Sequence, residues 1–305
     1  MLLAVFYCAI AHAGLVYVSS DNGTIEKYDS QTGADLGAFV TGLTYPLGLA
    51  FDSAGNLYVA NPVSSTVSKI SPAGNISTFA TLPPGSNPVD LAFDKSGNLY
   101  VSQLETSRIS KISPSGSITT FASGGLINRP DGIAFDSSGN LYVANFDDFR
   151  ISKVTPSGAV SQFAFGGANG LIVTPDDVAV AANGDVFVTN NSRNTISKIT
   201  STGVASLFAS GGGLSGPDGL AIAPNGELFV ANHSGNTISR VSSTGTVTLF
   251  ATTAAAPNFI AFAPVIIPEP SSTLIGFAIA AVSLFGRRRG KLGADVAATR
   301  VHIPD

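Results

Sequence analysis

Apolar residues in this chain come in short runs of five or six, separated by turn-formers and lacking the spacing of a helix. In the stretch 217–241, PDGLAIAPNGELFVANHSGNTISRV, residues 219–223, 227–231 and 237–241 are such runs, and 246–251 is the next. Pro224-Asn225-Gly226 and the segment 242–245 stand between them. Runs this short, rich in β-branched and aromatic residues, predict strands joined by tight antiparallel turns. The pattern then repeats. Its leading prolines, Pro46, Pro88, Pro130, Pro175, Pro217 and Pro257, are spaced by 42, 42, 45, 42 and 40 residues. A period near forty, with four strands in each copy, predicts the blades of a β-propeller. Both faces of a blade pack on neighbours, so the runs are apolar throughout and do not alternate strictly.

The two ends of the pattern set the blade count. The chain enters on a second strand (15–18), followed by a third (24–28) and a fourth (36–40), and leaves on a lone first strand (259–263). Five complete sets and this split one predict an all-β, six-bladed β-propeller over 14–264. Its ring is closed by the C-terminal strand joining the N-terminal three, which removes exposed sheet edges at the junction.

Composition narrows the partners. Residues 14–267 hold 11 Lys/Arg and 17 Asp/Glu, an acidic body unsuited to nucleic acid. The one cysteine, Cys8, lies in a probable leader, so thiol and disulfide chemistry is not expected in the mature chain. A monomer is expected.

The ends read as processing signals. Residues 1–13, MLLAVFYCAIAHA, form an apolar run closing on Ala11-His12-Ala13, the small-x-small pattern of a signal-peptidase site, although no basic residue follows Met1. Residues 265–289 contain Pro268-Glu269-Pro270, an apolar segment over 274–286 short for a full span, and Arg287-Arg288-Arg289, with a polar tail at 290–305. This order of motif, apolar helix and basic cluster resembles the PEP-CTERM sorting signal. The resemblance implies export, an exosortase-type sorting machinery as partner, transient anchoring in the membrane by the C-terminal helix, and delivery to the cell surface or extracellular matrix. The 16-residue tail beyond Arg289 is longer than that signal usually carries.

The repeat itself has relatives. Pro130-Asp131-Gly132-Ile133-Ala134-Phe135-Asp136, then Ser138-Gly139-Asn140-Leu141-Tyr142-Val143-Ala144-Asn145, resembles NHL-type repeats. It is similar as well to the gluconolactonase-like and virginiamycin B lyase-like six-bladed propellers. In the lactonase relatives a Glu, an Asn and an Asp of a Pro-Asp-Gly motif hold a metal, and the lyase relatives use a histidine base. Asp131 and Asp218 match the Pro-Asp-Gly motif, but no glutamate begins an inner strand. The body's only histidine, His233, reads as a solvated loop residue.

Candidate chemistry gathers where the first strand of each blade begins and the second ends. After each proline stand Leu47, Val89, Asp131, Asp176, Asp218 and Asn258, with Asp90 and Asp177 one residue further. The second strands close on Ser20, Asn61, Gln103, Asn145, Asn190 and Asn232. Carboxylates and amides converging on one channel mouth suit Ca²⁺ or Mg²⁺, the set being Asp131, Asp218 and Asn190 if a metal binds. Like charges there should also raise some carboxylate pKa values. The same residue types commonly tie turns together, so a purely structural role stands beside the ligand role. One base per third strand (Lys27, Lys69, Lys111, Lys153, Lys198, Arg240) predicts a solvated ring paired with neighbouring acids, with contact to an extracellular polysaccharide or surface protein as a further reading. The expected function is a non-catalytic binding module at the cell surface or matrix. The alternative is a divalent-metal-dependent lactonase or lyase at the mouth.

Overall fold

The computed structural model describes residues 14–166 and 170–264, which form one six-bladed β-propeller; the leader and the sorting-signal residues Pro268, Glu269, Pro270, Arg287, Arg288 and Arg289 lie outside the described residues. Twenty-four strands among the described residues, numbered in chain order, make six four-stranded antiparallel sheets. The closing sheet runs β24 (Pro257–Phe262), β1 (Leu15–Ser20), β2 (Thr24–Asp29), β3 (Asp35–Val40), so the C-terminal strand does complete the N-terminal three. Val16 pairs with Phe262 and Val18 with Ile260 across that seam.

The inner strands are β4 (Leu49–Phe51), β8 (Pro88–Phe93), β12 (Pro130–Phe135), β16 (Pro175–Val180), β20 (Pro217–Ile222) and β24, neighbours around the central channel. Several begin two residues earlier than the apolar pattern predicts. In β20, Pro217 pairs with Asn232 and Leu220 with Val230, so three steps on one strand face two on the other. This bulge recurs in β8, β12 and β16. It draws the polar dipeptide after the proline into the strand and turns its side chains towards the channel.

Packing between blades follows one repeated rule. The aromatic residue of each second strand meets the Phe of its own fourth strand and, in most blades, the Phe of the next inner strand. Tyr58 lies 4.9 Å from Phe79 and 5.0 Å from Phe93, edge to face; Tyr100 repeats this with Phe121 and Phe135, and Phe229 with Phe250 and Phe262. Such edge-to-face contacts add to the burial of large rings.

At the channel's centre the inner strands obey a second rule. The layer one residue past the mouth contains Gly48, Asp90, Gly132, Asp177, Gly219 and Phe259, small and large in alternate blades. A Cβ on Gly48 would meet the Cα of Asp90 at 2.5 Å, and one on Gly219 would meet the Cα of Phe259 at 2.6 Å. One on Gly132 would meet Asp177. Three glycines therefore make room for three large neighbours on the following blades.

Hydroxyls obey the same alternation. Where the inner residue is large, the second strand supplies an acceptor for its backbone N–H: Ser102 for Asp90 at 2.8 Å, Thr189 for Asp177 at 2.9 Å and Ser19 for Phe259 at 3.0 Å. Where it is glycine, the matching residue is Ala60, Ala144 or Ala231. The buried carboxylates also bridge blades, Asp90 Oδ2 accepting from Ile133 N–H at 2.8 Å and Asp177 Oδ2 from Leu220 N–H at 2.7 Å.

At the rim, Lys69, Lys111, Lys153 and Lys198 pair with Asp52, Asp94, Asp136 and Asp185 at 3.6, 3.8, 3.9 and 2.8 Å, and Arg240 pairs with Glu227. Each of the four lysines also lies over the ring of its own blade (Tyr58, Tyr100, Tyr142, Phe187), and Lys27 lies over Phe39. These pairs engage the cations locally, and exposed pairs of this kind contribute at most about 1 kcal/mol each.

The alternation makes a direct prediction. Gly219→Ala, and likewise Gly48→Ala, should cost about 1–3 kcal/mol through overpacking. Ser102→Ala and Thr189→Val should cost about 1–3 kcal/mol by stranding a buried N–H. Alanine-to-glycine changes at Ala60 or Ala144 should cost less than either class, as urea unfolding of each variant would show. Equal costs at all positions would contradict the alternation.

Candidate functional site

Two cavities lie on either side of the alternating layer. The mouth cavity, about 630 Å³, is lined by the residues after the blade prolines and by those that follow the second strands. The other, about 290 Å³, is lined by Asp90, Asp177, Phe259 and the downstream halves of the inner strands. Of the sequence candidates, Asp131, Asp176 and Asp218 line the mouth together. Asn258 bonds a residue of its wall, His233. Asp90 and Asp177 do not join them. They sit one residue deeper and line the far cavity.

The asparagines ending the second strands are also placed elsewhere. Asn145, Asn190 and Asn232 are buried, and each holds its own blade together. Their side-chain amides donate to Ser152, Ser197 and Ser239 of the third strands at 3.0, 3.0 and 2.9 Å. Their Oδ1 atoms accept from backbone N–H groups of Asn128, Val173 and Ser215 in the loop leading to the inner strand. With Asn190 so engaged, the set Asp131, Asp218 and Asn190 does not converge. Among the described residues no three His, Cys, Asp or Glu side chains are arranged to hold a metal ion. The residues present therefore do not fit the Ca²⁺ or Mg²⁺ site expected from the sequence.

The second ring of the mouth is the residue after each of those asparagines: Asp21, Pro62, Leu104, Phe146, Asn191 and His233. A shift of one position moves a side chain to the opposite face of a strand, so reading the strand's last residue selected the wrong face. Pro62, Leu104, Asn191 and His233 line the cavity. The mouth is thus divided. Leu47, Pro62, Val63, Val89 and Leu104 form an apolar wall, and Asp131, Asp176, Asn191, Asp218 and His233 form a polar one.

His233 begins the short 3-10 turn His233–Gly235 after β21 (Leu228–Asn232), and its side chain is about one-third exposed (32%). Its Nδ1 lies 3.1 Å from Asn258 Oδ1. Asn258 Nδ2 donates to the Pro46 carbonyl at 3.1 Å, which fixes the amide orientation and leaves Oδ1 to face the imidazole as an acceptor. In the neutral ring the proton therefore sits on Nδ1, and Nε2 carries the lone pair. Asp218 Oδ2 is 3.9 Å from Nδ1, and Asp21 Oδ2 is 3.7 Å from Nε2.

The carboxyls opposite are held protonated to unusually high pH. Asp131 is pushed well above the ordinary range by burial first, then by Asp176, Asp218, Asp177 and Asp90. Asp176 is pushed up to about 8 by burial and by Asp218, against a hydrogen bond from Asn191. Burial raises Asp218 to about 7, with His233 opposing and Asp21 reinforcing the shift. Asp90 and Asp177 are raised by burial as well, Asp177 further by Asp90. The rim acids Asp52, Asp94 and Asp136 are instead lowered, because hydrogen bonds from the turn, led by Asn56, Asn98 and Asn140, outweigh a desolvation penalty that is the largest single contribution.

A family model described as the virginiamycin B lyase family matches residues 38–265. Solved structures agree in fold. A catalytically inactive histidine-to-alanine variant of virginiamycin B lyase from Staphylococcus aureus, with quinupristin, is 22% identical over 70% of this chain and 73% of that one, with a TM-score of 0.60. A streptogramin B lyase is 20% identical over 79% and 74%, also at 0.60. A nidogen/laminin complex matches at 17% identity over 83% and 99%, with a TM-score of 0.70. No curated protein matches significantly.

The raised carboxyls fix the sign of a pH effect. Between the ordinary carboxylate pKa of about 4 and the raised values, the folded chain holds protons that the unfolded chain has released. Stability should therefore fall as pH rises from about 4 to about 8, and Asp177→Asn should flatten the slope. Thermal melts across that range test this; a melting temperature that rises towards pH 8 would contradict it.

Proposed function

Because the chain belongs to the virginiamycin B lyase family, we propose that its mouth performs an acid–base elimination on an ester-bearing substrate. The observation that carries this reading is the hydrogen-bonded series Pro46 carbonyl, Asn258 amide, His233 imidazole, which leaves the lone pair on Nε2 of a residue lining a cavity whose carboxyls have raised pKa values. His233 Nε2 takes the proton from the carbon beside a carbonyl. Those electrons form a carbon–carbon double bond, the adjacent carbon–oxygen bond breaks, and Asp218 gives its proton to the departing oxygen. Asn258 acts by orienting the base. A positioned base and acid contribute roughly 10²–10⁴-fold each to such a step. No step is routed through a metal.

A second reading is non-catalytic recognition in the same cavity. It is favoured by the lack of any Lys or Arg on the cavity wall among the described residues, which leaves the raised acids there to stabilise an enolate. Either role is proposed to be exercised outside the cell, at the surface or matrix, on the strength of the leader-like and sorting-signal-like ends.

Incubation with quinupristin or virginiamycin B distinguishes the readings. Elimination opens the ring with no change in mass, whereas hydrolysis adds one water. We expect the unhydrated product, with turnover falling about 10²–10⁴-fold in His233→Ala and the melting temperature retained. Saturable binding without turnover would favour recognition. Turnover unchanged in His233→Ala would overturn the assignment of the base.

A further inference from the structure

The mouth contains a polar atom with nothing to satisfy it. Asp176 is 4% exposed, lines the cavity, and its Oδ2 has no hydrogen-bond partner in the protein. A buried oxygen left this way costs stability unless a ligand or water meets it. Asp131 and Asp218 flank it on the neighbouring inner strands, and Asp21 lies near the far side of His233. Among the described residues the wall has no lysine or arginine beside them. Opposite stands the apolar wall of Leu47, Pro62, Val63, Val89 and Leu104.

Together with the reading of the mouth as the substrate site, on which this rests, these walls specify the ligand further. We propose that the mouth binds an amphipathic cation, an apolar body carrying a protonated amine, with the ammonium donated to Asp176 and Asp131 and the body laid against Leu47, Val89 and Leu104. A small neutral molecule would bring the acidic wall no counter-charge, and a small inorganic cation would leave the apolar wall wet. An ammonium supplies the missing donor to Asp176 Oδ2 and a counter-charge that favours the ionised form of the carboxyls it meets. Because those carboxyls are raised by burial and by one another, binding a cation should ionise them and release protons. The titrating groups facing the site are Asp131, Asp176, Asp218, Asp21, His233 and Tyr45, with Asp90 and Asp177 beneath.

The test is calorimetric titration of the protein with 4-phenylbutylamine and with 4-phenylbutan-1-ol, which match in size and differ in charge. The amine should bind about tenfold or more tightly than the alcohol, and added salt should weaken it. Titration in buffers of different ionisation enthalpy should show net proton release. Asp176→Asn and Asp131→Asn should each remove the amine's advantage, with the melting temperature of each variant showing that it is folded. Equal affinities for amine and alcohol, binding of neither, or variants that keep the preference would each overturn the proposal. Ester elimination without amine preference would overturn this inference alone, whereas amine preference without elimination would keep it and remove the lyase reading.

Discussion

Six strands must start around one axis, and the axis has no room for six side chains. The chain meets this constraint by alternation: Gly48, Gly132 and Gly219 give way, and Asp90, Asp177 and Phe259 fill the space. Much else follows from that layer. The close approach brings Asp90 and Asp177 to the N–H groups that the bulges of β12 and β20 leave free, so the carboxylates join blades that share no sheet. Ser19, Ser102 and Thr189 are present only where a large inner residue needs its own N–H satisfied. Above the layer, the preceding residue of each strand forms the mouth.

The mouth and the rim treat the same residue type in opposite ways. Around the rim, acids are met by asparagine amides and lysines and are easily ionised. On the inner strands, acids of the same residue type meet low dielectric and one another, and they hold their protons. A fold needing only a plug could use apolar residues there, as it does with Phe259. Asp131, Asp176 and Asp218 beside an oriented imidazole are the groups on which the proposed proton transfer rests.

Much of this was legible in the repeat. The period, the four strands per copy and the split blade predict the propeller and its closure, and β24 pairing with β1 is the result. Asp131, Asp176 and Asp218 are visible as the residues after the prolines. What escaped was a matter of one position. Asn190 ends its strand facing Ser197, while Asn191 begins the turn facing the channel, and an alternating backbone gives no warning of which one is meant. His233 is visible in the sequence as the body's only histidine but reads there as a solvated loop residue, although it follows Asn232 as Asn191 follows Asn190. The alternation of glycine with large residues was also in plain view, coupled to alanine against serine or threonine at Ala60, Ser102, Ala144 and Thr189. It becomes meaningful only once the inner strands are known to touch.

The central claim is that Asn258 holds His233 with its proton on Nδ1 and its lone pair on Nε2. Nitrogen-15 NMR of the imidazole, at a pH above the ordinary histidine range, reads the tautomer directly. A protonated Nδ1 and a bare Nε2 in the parent, with the two forms mixing in Asn258→Ala, is the result this account requires. A proton resident on Nε2 in the parent would contradict it, and His233 would then face the cavity as a donor with no base to offer.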